Sequence, residues 1–173
     1  IGLYSWKGVD VFLESLKHMS VPGLKFLIVG GSPEDVVRLK AAYPDKRISF
    51  IGSVKPGDVP AYLKASDVLV LPNKSGNEVS ERFTSPMKLF EYMASKTPIV
   101  ASDLPSIREI LNSENSVLFS PNSSKALAEA VEKVLKDSVL ARQISEKSFS
   151  DVVSYTWDDR ARRISDFIGK DEN

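Results

Sequence analysis

The sequence predicts a doubly wound α/β fold, a Rossmann-like parallel sheet with helices on both faces and extra helices at the C-terminal end. Two observations carry this prediction. Short apolar runs rich in β-branched residues alternate with longer amphipathic stretches along the chain. The runs are apolar on both faces and most stop at glycine, serine or proline, which is typical of parallel strands covered by helices. We therefore expect one domain over residues 1–173.

The apolar runs are the predicted strands. Five of them are complete and cover residues 24–29, 47–51, 67–71, 98–101 and 116–119. Residues 1–3 are predicted to hold the end of an earlier strand, which gives a sheet of about six strands.

Amphipathic spacing and end signals predict the helices. Ser32-Pro33 and Ser85-Pro86 each offer a cap residue followed by proline at the first helical position. One predicted helix runs from about Gly8 to Met19, another begins at Ser32, and a third runs from Ser85 to about Ser95. Further helices are predicted over residues 58–65, 124–136, 139–153 and 157–168. Trp157 is expected to dock the two terminal helices.

Composition excludes several classes of function. Lys plus Arg equals Asp plus Glu at 23 each, so no basic excess indicates a nucleic-acid partner. The chain has no cysteine and one histidine, His18, so we expect no metal and no cofactor. The absence of cysteine also fits a reducing, cytoplasmic location. No apolar run approaches the roughly 18 residues that would cross a bilayer.

The loops at the carboxyl ends of the strands are where an open parallel sheet binds ligands. The long polar loop 73–84 leads there into a helix whose first turn contains Met87 and Lys88. Free N–H groups and the helix dipole favour a diphosphate at that turn, with the Ser85 hydroxyl as a further donor. Glu91, one turn later, is a candidate acceptor for the two hydroxyls of a ribose.

Several stretches, taken in order, resemble the group 1 glycosyltransferases, the retaining family with the two-domain GT-B fold. They are Trp6-Lys7-Gly8-Val9-Asp10, the Gly-x-Val at residues 52–54, and the segments 65–72, 81–94 and 98–110. The resemblance implies that this chain is the C-terminal, donor-binding domain of a larger enzyme. Such an enzyme transfers a sugar from a nucleotide-sugar donor to an acceptor without a metal, and its N-terminal domain binds the acceptor. Any membrane contact of a peripheral full-length enzyme would then lie in the absent half.

The resemblance also implies residue roles. Lys7 becomes the catalytic residue that stabilises the diphosphate leaving group, and Glu91 binds the ribose. Base and phosphate contacts fall on Gly52, Ser53, Val54, Ser85, Met87 and Lys88. Two positions depart from the family pattern: Gly2 stands where an arginine is usual, and Phe83 stands where a sugar-contacting glutamate is usual. Glu81 is the candidate replacement for that glutamate.

Two alternatives stay open. A GT-B sugar-nucleotide epimerase shares the donor site but needs a histidine at the sugar, and a non-catalytic homologue would only bind the nucleotide sugar. A phosphorylation-dependent receiver module is rejected because the predicted third strand ends in Phe50-Ile51-Gly52, without an acceptor aspartate. A dinucleotide oxidoreductase is rejected because no Gly-x-Gly-x-x-Gly follows the first strand.

Overall fold

A computed structural model describes residues 5–83 and 87–169. Five strands lie within these ranges: β1 (Phe26–Val29), β2 (Ile48–Gly52), β3 (Leu69–Leu71), β4 (Ile99–Ser102) and β5 (Val117–Phe119). Each falls on a predicted apolar run. The predicted strand end at residues 1–3 lies outside the described residues.

Helices follow the strands as expected. They are α1 (Val9–Ser15), α2 (Pro33–Ala42), α3 (Val59–Lys64), α4 (Met87–Ala94), α5 (Pro105–Arg108), α6 (Ser124–Lys136), α7 (Ser138–Val152) and α8 (Trp157–Ile168). The helix predicted from residue 8 is shorter than expected, because a 3₁₀ turn (Leu16–His18) replaces its last part.

The strands form two parallel sheets instead of one. β1 pairs with β2, and β3 and β5 pair with the two edges of β4. The register aligns Phe26 with Ile48, and Leu69 with Ile99. A crevice runs between β1 and β3, with Leu27 on one side and Val70 on the other. These two strands therefore form no backbone hydrogen bonds with each other. The expectation of a single sheet of about six strands is therefore not met within the described residues, although the α/β class is confirmed.

The core lies on both faces of β4, whose four residues are all buried. One side is filled by α4 and α5, through residues such as Leu89, Met93 and Ile107, each with no exposed surface. The other side is filled by α6, whose Leu127 and Val131 pack near Phe26 and Phe119. A strand buried on both faces is what a covered parallel sheet requires.

The cap signals in the sequence act as predicted. The Ser32 hydroxyl accepts the Asp35 N–H at 3.2 Å, and the Asp35 carboxylate accepts the Ser32 N–H at 3.2 Å, so α2 begins with a complete capping box. Between α6 and α7, the Asp137 carboxylate accepts the N–H groups of Val139 and Leu140. Asp137 thus allows two helices to follow each other with a single residue between them.

Two elements differ from the prediction. The loop 73–84 was expected to be irregular, and it contains a π-helix (Val79–Phe83). After β4 the structure has a short helix, α5, that the sequence pattern did not predict. Both elements are short and lack a periodic apolar pattern that would reveal them.

Helix α8 is exposed along its whole length. None of its residues is buried, and Trp157, which was expected to dock the terminal helices, is 75% exposed. That expectation was wrong. The apolar side chains Trp157, Ile164, Phe167 and Ile168 recur at helical spacing and are all exposed, so α8 presents an uncovered apolar stripe.

Candidate functional site

Glycines shape the backbone at the carboxyl ends of β1 and β2. Gly52 has a positive φ of 76°, and its carbonyl accepts the Gly30 N–H at 2.6 Å. The next residue, Ser53, donates its hydroxyl to the Gly31 carbonyl at 3.0 Å. These contacts join the two strand ends and fix the start of the segment Ser53–Val54.

A cavity of about 440 Å³ opens beside this segment. Ser53 and Val54 line one wall, and Lys88, Glu91 and Tyr92 of α4 line the other. The structure therefore brings the predicted base-binding loop and the predicted ribose-binding glutamate into one cavity. Glu91 is exposed, so its carboxylate is available to a ligand.

A second cavity of about 400 Å³ adjoins the first. Lys7 and Trp6 line it together with Met87 and Lys88 from the first turn of α4. Lys88 and Tyr92 border both cavities, so the two form one continuous crevice at the carboxyl ends of β1 and β3. We name it the donor crevice.

Two lysines meet in the donor crevice. Burial lowers the pKa of Lys7, and the positive charge of Lys88 lowers it further. Burial also lowers the pKa of Lys88, although the Glu91 carboxylate opposes that effect. Two partly desolvated ammonium groups that disfavour each other form a site where an anion would be stabilised.

The turn that carries Lys7 is held by glycine. Lys7 ends a 3₁₀ turn (Ser5–Lys7), and Gly8 follows as the residue before α1 with a φ of +64°. A Cβ at Gly8 would lie 1.8 Å from the carbonyl oxygen of Pro72, directly after β3. Lys7 is thus fixed beside the carboxyl end of β3.

Glu81 has a structural contact in this state. Its carboxylate accepts the Gly76 N–H at 2.7 Å and so closes the segment that follows β3. Glu81 is half-buried and does not line either cavity of the donor crevice. A sugar contact by Glu81 would require this hydrogen bond to rearrange.

Ser85 lies outside the described residues, as does Gly2. Sequence reasoning did not single out Tyr92, although it lines both cavities. Burial raises the pKa of Tyr92 to about 12, with a smaller contribution from Glu91. Its place next to Glu91 in the sequence was the signal that could have found it.

Two other cavities lie beside the donor crevice, and Met87 and Glu91 also line the second of them. One, of about 470 Å³, opens at the amino ends of β1 and β3, where parallel sheets do not bind ligands. The other, of about 600 Å³, is a groove between α4 and α8 that Trp157, Arg160 and Arg163 line. Each cavity of the donor crevice is smaller than this groove, but among the cavities described here the crevice combines strand ends, paired lysines and a carboxylate.

The described residues hold neither a cluster of metal ligands nor a membrane-spanning helix. Among residues 5–83 and 87–169, no three His, Asp or Glu side chains are grouped so that they could hold a metal ion. In the same ranges, no helix is both long and apolar enough to cross a membrane.

Comparison with known proteins identifies the family. A family model described as "Glycosyl transferases group 1" matches residues 1–137. A phosphatidyl-myo-inositol mannosyltransferase of Mycobacterium leprae is 31% identical over 161 residues, which are 91% of this chain and 41% of that protein. The chain thus spans less than half the length of this curated relative.

Solved structures agree. The C-terminal domain of LpcC, a group 1 family glycosyl transferase from Francisella tularensis, is 26% identical with a TM-score of 0.67, over 88% of this chain and 80% of that one. Anabaena HepE in complex with UDP-glucose shares the fold at 19% identity, with a TM-score of 0.78 over 98% of this chain and 47% of that one. The resemblance drawn from the motifs is confirmed, and the chain belongs to the group 1 glycosyltransferase family.

Proposed function

We propose that this chain is the donor-binding domain of a retaining glycosyltransferase that transfers a sugar from a nucleotide sugar to an acceptor. The single observation that carries the proposal is the donor crevice, in which Lys7, Lys88, Glu91 and the segment Ser53–Val54 converge. The family and the UDP-glucose bound by Anabaena HepE support a nucleotide sugar as the ligand.

The diphosphate would rest at the first turn of α4, between Lys7 and Lys88. Negative charge accumulates on the diphosphate as the bond between the sugar carbon and the phosphate oxygen breaks. Two ammonium groups already placed in a partly desolvated crevice stabilise that charge without reorganisation. Met87 and Lys88 would add backbone N–H donors, with Ser85 as a proposed third contact.

The nucleoside would extend from the diphosphate along the 440 Å³ cavity. Glu91 would accept hydrogen bonds from the ribose hydroxyls, and the backbone of Gly52, Ser53 and Val54 would contact the base. Glu81 is the proposed sugar contact, once its carboxylate has given up the hydrogen bond that it accepts from the Gly76 N–H. Because the anion site consists of lysines and N–H groups, we propose that no metal or other cofactor is needed.

The acceptor would bind to a further domain outside residues 1–173. The chain spans 41% of the length of the mycobacterial relative, which leaves room for such a domain. The exposed apolar stripe of α8 supports a covering partner, because large apolar surfaces on soluble proteins mark interfaces. We propose a cytoplasmic site of action, with any membrane contact through the part outside this chain.

The epimerase alternative is disfavoured by the position of His18. That histidine ends the 3₁₀ turn after α1 and lies 3.4 Å from the Ser124 hydroxyl at the start of α6, and it lines neither cavity of the donor crevice. No imidazole is therefore in place for proton transfer at the sugar.

Calorimetric titration of the 173-residue chain with UDP, GDP and ADP, each with and without EDTA, tests the proposal. We expect one of the three to bind, with the same affinity in EDTA. Absence of binding by all three would refute the donor-binding role, and binding that EDTA abolishes would refute the metal-free phosphate site.

We also expect the isolated chain to transfer no sugar, because it lacks the acceptor domain and cannot close a cleft that excludes water. A glycosyl-transfer assay with the matching nucleotide sugar measures this. Robust transfer by the 173-residue chain would contradict the two-domain account.

A further inference from the structure

The turn that carries Lys7 is built onto the segment that follows β3. The Lys74 N–H donates to the Trp6 carbonyl at 2.8 Å. The Lys74 ammonium lies 2.6 Å from the Asp10 carboxylate, in the first turn of α1. Gly8 packs directly against the Pro72 carbonyl. The contacts thus bracket Lys7 on both sides along the chain.

The Gly8 contact admits no side chain. Its φ of +64° is a conformation that residues with a Cβ rarely adopt. The Cβ would also meet two backbone atoms of Pro72, the oxygen at 1.8 Å and the carbonyl carbon at 2.8 Å. Backbone atoms cannot rotate away, so a substitution has to separate the Lys7 turn from the end of β3.

The partner segment is itself anchored from the other side. The Asn122 carboxamide, after β5, accepts the Ser75 N–H at 3.2 Å and donates to the Ser75 hydroxyl at 2.8 Å. Glu81 holds Gly76. The Lys7 turn is therefore tied, through Lys74 and Ser75, to the loop that follows β5.

We infer that Gly8, Asp10 and Lys74 are positioning residues that hold Lys7 in the donor crevice beside Lys88. The inference rests on the proposed function, because it assigns Lys7 to the diphosphate. Lys7 and Lys88 carry like charges that disfavour each other, and ordering a lysine side chain costs rotamer entropy. Because the turn is fixed by backbone contacts and an ion pair, the backbone of Lys7 stays close to Lys88 before the anion binds.

The test measures affinity for UDP, GDP or ADP, whichever the 173-residue chain binds, in four single variants. Gly8→Ala is expected to weaken binding by at least about tenfold, if it folds. Asp10→Asn and Lys74→Met are expected to weaken binding by about threefold, since their ion pair is partly exposed. Lys125→Met, which removes an exposed ion pair with Glu129 elsewhere, is the matched control and is expected to change nothing.

A double-mutant cycle separates positioning from general structure. In a Lys7→Met background, Asp10→Asn should have no further effect on affinity, because it acts through Lys7. Asp10→Glu, which keeps the charge, should restore most of the affinity lost in Asp10→Asn. An equal loss in both backgrounds, or no loss with Asp10→Asn while Lys7→Met does weaken binding, would overturn the inference alone. If Lys7→Met itself leaves affinity unchanged, the proposed role of Lys7 fails, and the inference falls with it.

Discussion

At the residue scale, Glu91 carries the most specific part of the proposed donor site. It is exposed, lies one turn into α4 and lines the same cavity as Ser53 and Val54. A carboxylate there can accept two hydrogen bonds from a ribose, each worth about 1.5 to 3 kcal/mol as a bond to a charged group.

Glu91→Gln should therefore lower nucleotide affinity by about tenfold or more, since the amide keeps the shape but loses the charge and one acceptor. Thermal stability should barely change, because the side chain is exposed and does not belong to the core. Glu129→Gln, on the exposed face of α6, is the matched control. Calorimetry and a melting curve on the same protein measure both quantities. Unchanged affinity would remove Glu91 from the site.

The paired lysines predict a pH dependence with a definite sign. Both pKa values are lowered, so each ammonium loses its proton below the ordinary lysine value of 10.5. A bound diphosphate favours the charged forms and raises both pKa values, so affinity should fall as the pH rises through that lowered range. The fall should be smaller in Lys7→Met. Titrations across alkaline pH measure it, and an affinity that stays constant up to 10.5 would contradict the assignment.

The same lowered pKa values affect the folded state in the opposite direction. The unfolded chain holds these protons more tightly than the folded one, so the contribution of Lys7 and Lys88 to stability increases as the pH rises toward 10.5. As the pH rises, the contribution of Lys7 and Lys88 to the stability of the nucleotide-free protein is thus expected to increase, while the affinity for nucleotide is expected to decrease.

At the element scale, the sequence pattern predicts the strands and longer helices well because their signals are local. The predicted run 24–29 contains β1, and both the run and the strand end just before Gly30. The capping box of α2 is readable from Ser32 and Asp35 alone. Helix α5, with four residues, is too short for any periodicity and could not be recognised in this way.

Pairing between elements is harder to predict than the elements. Sequence reasoning placed Lys7 and Lys88 at one edge of a sheet, and the resemblance assigned both to phosphate, but no local signal brings them into one cavity. The close approach of Gly8 to Pro72, beside Lys7, is revealed only by the folded backbone. The hydrogen bond from Gly76 to Glu81 is equally hidden, because it needs the fold of the segment after β3.

Asp137 gives an element-scale prediction. Its carboxylate caps α7 through two N–H groups, so Asp137→Ala should lower the free energy of unfolding by about 1 kcal/mol. The melting temperature should fall by about 2 to 4 °C for a domain of this size. Asp58→Ala is the matched control, because Asp58 occupies the position before α3 without a side-chain cap bond. Equal effects of the two substitutions would contradict the capping account.

At the scale of the whole molecule, the donor crevice exists because β1 and β3 belong to separate sheets. Leu27 and Val29 of β1 line both cavities of the crevice. On the β3 side, Val70 lines the cavity that holds Lys7, and Leu69 lines the cavity that holds Glu91. Lys7, from before α1, and Lys88, from α4, then meet where both walls end. This arrangement places the proposed diphosphate site beside the proposed nucleoside site, as a nucleotide sugar requires.

The central claim is that the donor crevice, and not the groove between α4 and α8, binds the nucleotide. Backbone amide NMR of the ¹⁵N-labelled chain, titrated with the nucleoside diphosphate that binds most tightly, tests this most directly. The account predicts that the largest shift changes fall on Lys7, Ser53, Val54, Lys88 and Glu91. Glu91 lines both the crevice and the groove, so changes confined to Trp157, Arg160 and Arg163, with Lys7, Ser53 and Val54 unmoved, would contradict it.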